Sequence, residues 1–109
     1  MKDDRIYLIH IRDAIVQIYE YTVGGWEEFQ KDRKGKDAVI RNFEIIGEAV
    51  KHLSSMLKTE HVDIPWKKIA GLRDELIHEY FGVDLKIVWG VIEHELPRLK
   101  EKVDLLLKS

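Results

Sequence analysis

From Leu85 to Leu106 an apolar residue recurs every three or four positions: Leu85, Val88, Ile92, Leu96, Leu99, Val103 and Leu106. That period fits one face of an α-helix and no face of a strand. The same spacing occurs twice upstream. Leu8, Ile11, Ile15 and Ile18 place a helix over about Asp3 to Tyr21. Val39, Ile40, Phe43, Ile46, Val50, Leu53 and Leu57 place another over about Asp37 to Leu57. Apolar–polar alternation nowhere runs long enough for a strand, and no internal repeat is visible. With 109 residues the chain has room for one core and not two, so a single domain over 1–109 is expected. The expected fold is all-α: an up-and-down bundle of four long helices plus one short helix.

Local signals refine this outline. Asp3 and Asp4 suit a helix N-terminus, where backbone N–H groups and the macrodipole favour negative charge. Gly24 and Gly25 break the first pattern, and Trp26 to Phe29 reads as one or two turns of a short helix. The basic stretch Lys31 to Lys36 is either a loop or a charged helix start. Gly47 sits inside the second long pattern, where it costs roughly 1 kcal/mol relative to alanine; such a glycine either admits a neighbouring helix or is a tolerated accident. Lys58 to Ile64 reads as a connection, and Pro65 can open the next helix without forfeiting a helical hydrogen bond. That helix carries Ile69, Leu72, Leu76 and Ile77; Gly82 closes it and Asp84 can cap the last one. Pro97 removes a donor from the last helix and is expected to kink it.

Charge and composition exclude several classes. The net charge is −2, so any RNA contact must come from a local patch rather than a basic surface. Cysteine is absent, which removes disulfides and thiolate zinc sites. The early acids of MKDDRIYLIH argue against a signal peptide, and no run approaches the ~20 apolar residues of a membrane helix. A cytoplasmic protein is expected.

The chemistry is concentrated in GLRDELIHEYFGVD, where Arg73, His78 and Tyr80 follow one another closely. A guanidinium can hold a phosphate, and an imidazole can move a proton near neutral pH. On a helix Arg73 and Tyr80 fall roughly 20° apart, whereas His78 lies about 140° around from Arg73. One helix alone therefore makes no tight site. Arg73 could reach round, the helix could unwind near Gly82, or two copies could face each other across a twofold axis. The plain alternative is a surface arginine paired with Asp74 or Glu79 and a helix-terminal histidine.

Arg73-x4-His78-x-Tyr80 resembles the signature of the HEPN superfamily, and in particular of the HepT-like toxin ribonucleases. The blocks Arg41–Ala49 and Pro65–Asp74, and the stretch Tyr80–Asp84 with Val88 and Trp89, resemble that family's helices in the same order. Asp74 after the arginine also fits. The resemblance implies a metal-independent endoribonuclease, active as a cytoplasmic homodimer, needing no cofactor or metal. It implies Arg73 and His78 as catalytic residues and RNA as substrate. It further implies the toxin role in a type VII toxin–antitoxin system, whose minimal nucleotidyltransferase antitoxin transfers AMP onto the motif tyrosine, here Tyr80. A nucleotide there would place bulk and negative charge beside Arg73. Asp74 and Glu48 are the supporting candidates.

Other residues carry weaker readings. Glu44, Glu48 and His52 form one helical stripe; with Glu75 and His78 they faintly resemble a carboxylate-bundle metal site, but the full ligand set is missing. Glu48 or Glu44 orients Arg73 or His78, or simply pairs with Arg41 or Lys51. Lys31, Arg33, Lys34 and Lys36 could attract RNA phosphates or be a solvated charge run. Trp26, Trp66 and Trp89 could stack bases, although core or interface packing is the commoner role. His10, His61 and His94 suggest no function, and the stripe of the last helix could also serve a dimer face. Two other functions compete with cleavage: a silent helical module that binds nucleotide or docks the nucleotidyltransferase, and a plain dimerisation domain.

Overall fold

A computed structural model describes the backbone of residues 2–78 and 85–108, with side chains over 4–72 and 85–108. Those residues are helical almost throughout, with no strand among them. Helix α1 spans Lys2–Tyr21. Its stripe Leu8, Ile11, Ile15 and Ile18 is buried in the core. Each such aliphatic side chain contributes about 1.5–3 kcal/mol through removal from water. The helix stops where Thr22 Oγ1 donates back to Ile18 O at 2.8 Å, and the backbone then turns at Gly25, φ +85°. Only glycine takes that conformation without strain.

The short helix α2, Gly25–Lys31, fixes one end of the bundle through Phe29. Trp26, Phe29 and Trp89 pack with ring centroids 5.3–6.4 Å apart, so two of the three tryptophans are spent on joining α2 to the last helical segment. Helix α3, Arg33–His52, begins earlier than the apolar pattern suggests. Asp32 caps it by accepting the Gly35 N–H at 2.9 Å. A Cβ at Gly35 would collide with that carboxylate, so the glycine permits the cap. The basic stretch is thus the end of α2, a cap and the start of α3. Gly47 is buried within α3, which packs against both α1 and α5. Asn42, also buried, donates to Ala38 O at 2.9 Å and to Gln17 Oε1 of α1 at 3.3 Å.

The apolar pattern runs on to Leu57, but α3 ends at His52. Leu53 is extended, and Ser54 opens a second short helix, α4, Ser55–Glu60, within the stretch that reads in part as a connection. The cause is a tertiary contact. Asp4 of α1 accepts the Ser54 N–H at 2.8 Å and the Ser54 hydroxyl at 2.7 Å, while Ser54 Oγ accepts the Leu57 N–H at 3.1 Å. Asp4 is 6% exposed. Both of its carboxylate oxygens therefore serve the start of another helix.

Helix α5, Trp66–His78, follows. The stop expected at Gly82 and the cap expected at Asp84 lie outside the described residues. The last segment comprises α6, Leu85–Gly90, a π-helical turn Val91–Glu95, and α7, Leu96–Lys108. Where a kink is expected at Pro97, the described departure from α-helix is this π-helical turn just before it. Pro97 has no N–H to give, and the turn just before it is widened, with Leu96 N–H bonding to Val91 O. Val88, Ile92, Leu96, Leu99 and Val103 are buried, as their periodicity predicts, and Arg5 ties the end of α7 back to α1 through Leu107 O at 3.0 Å. No helix among the described residues is long and apolar enough to cross a membrane.

Candidate active site

The start of α5 is held from several directions. Pro65 O accepts the Ile69 N–H at 3.1 Å, so the proline stands at the mouth of the helix as expected. Trp66, 6% exposed, donates its indole N–H to His61 O at 2.9 Å and closes the preceding loop. From α7, Arg98 donates to Asp63 O at 3.1 Å and Lys102 pairs with the Asp63 carboxylate at 3.1 Å. The hydrogen bond from Lys102 is the main reason the Asp63 carboxyl sits below its ordinary pKa. Farther along, Lys68 pairs with Glu95 of the π turn at 2.6 Å. Ile69, Ala70 and Leu72 pack against the core, and α5 lies along α3.

This anchored helix carries Arg73, Asp74 and His78 in its backbone, and their side chains lie outside the described residues. Tyr80 lies outside them altogether. The five-residue step from Arg73 to His78 corresponds to ~7.5 Å along the axis and about 140° around it. The helix fixes that separation, because its helical backbone continues to His78.

Glu48 does have a described setting. It stands half-exposed on α3 with its carboxylate 3.2 Å from His52 Nε2. The ring of His52 stacks on Tyr7 at 5.0 Å and 12°. Glu44 reaches Arg41 at 3.5 Å. The stripe is thus occupied by neighbours on its own helix and by α1, and no cluster of three potential metal ligands occurs among the described residues. Lys31, Arg33 and Lys34 are exposed at the junction of α2 and α3. His61 faces Lys102 with Nδ1 at 3.5 Å, and His10 and His94 are exposed.

Beside the start of α5 the sequence reading overlooked a feature. Lys51, Lys58, Lys67 and Lys68 line one groove of about 720 Å³. The adjacent Lys67–Lys68 pair was the visible signal, but the other two lysines come from different helices.

Comparison with known proteins places the whole assembly in context. Residues 11–106 match the family described as ribonuclease HepT-like. A protein of Caldanaerobacter subterraneus subsp. tengcongensis, whose name proposes an RNase, is 45% identical over 100% of this chain and 98% of its own length. "Probable ribonuclease HepT" of Thermococcus cleftensis is 45% identical over 94% of each chain. A Methanocaldococcus jannaschii protein, named as a gamma-glutamylcyclotransferase joined to a proposed RNase, is 47% identical over 94% of this chain but only 46% of its own length. No solved structure gives a significant match. A family match over nearly the whole chain, together with two relatives matched over almost their entire length, leads to one conclusion: this chain belongs to the HepT-like ribonuclease family.

Proposed function

We propose that the chain is a metal-independent endoribonuclease acting as the toxin of a type VII toxin–antitoxin pair, a single domain over 1–109 that works in the cytoplasm as a homodimer. The observation that carries this reading is the family match over residues 11–106, within which Arg73-x4-His78-x-Tyr80 falls on and just beyond α5. Arg73 holds the scissile phosphate and offsets the charge that grows on its oxygens. The neighbouring 2′-hydroxyl attacks phosphorus; the new P–O2′ bond forms as the P–O5′ bond breaks. His78 moves the proton from the entering 2′-oxygen to the departing 5′-oxygen. The products are a 2′,3′-cyclic phosphate and a 5′-hydroxyl.

The angular separation of Arg73 and His78 on one helix supports a cleft shared by two copies. Asp74, next to Arg73, and Glu48, on the packed neighbour α3, are supporting carboxylates in this reading. Tyr80 is the control point. A minimal nucleotidyltransferase antitoxin joins its phenol oxygen to the α-phosphorus of ATP and releases pyrophosphate, and the attached AMP then competes for the phosphate site.

Purified protein incubated with RNA in EDTA tests the reading. Wild type is expected to cut and leave 2′,3′-cyclic ends. Arg73→Ala and His78→Ala are each expected to lose about 10²–10⁴-fold in rate with the fold intact by circular dichroism. Cleavage surviving in both variants refutes the assignment. Intact mass after incubation with the antitoxin and ATP tests the modification: an adduct persisting in Tyr80→Phe places it elsewhere.

A further inference from the structure

The groove of Lys51, Lys58, Lys67 and Lys68 stands out because the chain as a whole is acidic. It lies between the end of α3, the helix α4 and the start of α5, and none of its described lining residues is an acid. Two nearby acids, one at the end of α4 and one in the following loop, are engaged elsewhere. Glu60 lines the depression beside Asp4 and Arg5, and Asp63 is held on the α7 side by Lys102. Among the described residues the ionisable side chains that line this groove are four lysines. Lys58 and Lys67 have no ion-pair partner among the described residues, whereas Lys68 is paired with Glu95.

The apolar part of the wall includes Val62, 78% exposed, and Pro65. Trp66 also lines it but is nearly buried, with its indole N–H committed to His61 O. The groove thus offers cations for phosphates and a smooth apolar surface, without a free aromatic face on which to stack bases. Its fixed wall comes from the same contacts that anchor α5. Arg73 follows Lys68 by five residues, ~7.5 Å along the helix axis and about 140° around it, so a strand leaving the groove must wind part of the way round α5 to reach the motif.

We propose that this groove binds the phosphodiester backbone of single-stranded RNA and leads it to the motif helix, with little preference for base sequence. The inference rests on the ribonuclease reading for the identity of the polyanion; the charge argument itself does not depend on catalysis. Lys58 and Lys67 are the main phosphate contacts. For single strands the logarithm of the binding constant falls with the logarithm of salt concentration by about 0.7 per phosphate neutralised. Removing two contacts is then expected to reduce that slope by about 1.4 and to weaken binding about 25-fold at 0.1 M salt.

The test uses the full chain and a fluorescent 2′-O-methyl RNA oligonucleotide, which lacks the attacking hydroxyl and cannot be cleaved. Anisotropy titrations at several salt concentrations compare wild type with Lys58→Gln/Lys67→Gln, whose melting is checked first. The expected result is the reduced slope and weakened binding in that variant, with similar effects on oligonucleotides of different sequence. Wild-type slope and affinity in the variant overturn the proposal. So does a loss that appears instead in Lys31→Gln/Lys34→Gln, because the other basic segment then carries the RNA. A wild-type chain that ignores RNA but loses binding to the acidic surface of a partner protein when Lys58 and Lys67 are replaced also overturns it. Groove-dependent RNA binding by a wild type that fails to cut normal RNA leaves this proposal standing and removes the cleavage reading.

Discussion

Replacing Asp4 by alanine removes the acceptor for two short hydrogen bonds from Ser54, at 2.8 and 2.7 Å, from a position only 6% exposed. Hydrogen bonds to a charged group contribute about 1.5–3 kcal/mol each, and an orphaned donor adds its own desolvation cost. Two factors lower the sum. Ser54 is half-buried, so water can reach it in the variant, and the carboxylate's burial penalty disappears. A loss of about 2–4 kcal/mol is expected, which for a domain of this size lowers Tm by roughly 10 °C or more. Asp4→Asn keeps an acceptor and the shape and is expected to cost about half as much. Ser54→Ala loses the hydroxyl bond and the α4 cap, about 1–2 kcal/mol, yet keeps the backbone N–H bond. The double variant should therefore show coupling of about 1 kcal/mol. Urea and thermal unfolding followed by circular dichroism measure all four proteins. A loss below about 1 kcal/mol in Asp4→Ala, or no coupling with Ser54, refutes the claim that this contact ends α3 and starts α4.

Two further outcomes follow from contacts at other helix starts. Gly35→Ala must push the Asp32 carboxylate off the start of α3 and is expected to cost about 1–2 kcal/mol by urea unfolding; an unchanged midpoint refutes the close-packed cap. Lys102 holds the Asp63 carboxyl below its ordinary pKa, so the folded state binds that proton less readily than the unfolded chain. The stabilisation is present above the unfolded carboxyl's pKa, about 3.9, and is lost as pH falls through the lower folded value. Tm measured from pH 6 downward should decline less in Lys102→Gln than in wild type over that window, and parallel curves refute the linkage.

The helices were largely legible because each buries one stripe, and burial imposes a period that the sequence displays. Their ends were less so. Nothing between Val50 and Leu57 breaks the apolar pattern, and the break comes from Asp4, fifty residues away in the chain. Asp4 itself suggested a helix-dipole role, since its partner is visible only when α1 and α4 are side by side. Pro97 announced an irregularity, but whether a missing donor yields a bend or a wider turn depends on packing the sequence does not display. Arg73, Asp74 and His78 fall on the helix that the spacing expects, and Tyr80 lies outside the described residues. The lysine groove was not legible, because Lys51, Lys58 and Lys67 come from three elements that only the fold brings together.

The π turn at Val91–Glu95 bears on which changes of chain length the protein can survive. A turn bonded i→i+5 holds one residue more than an α turn, so this segment already accommodates the equivalent of a single-residue insertion. Deleting one residue there can convert a wide turn into an ordinary one, and the adjustment stays between α6 and α7. The same deletion in the middle of α3 would rotate Ile46, Ala49 and Val50 by about 100° away from the core they share with α1. Gains and losses of single residues among relatives should therefore collect at the π turn and be purged from α3.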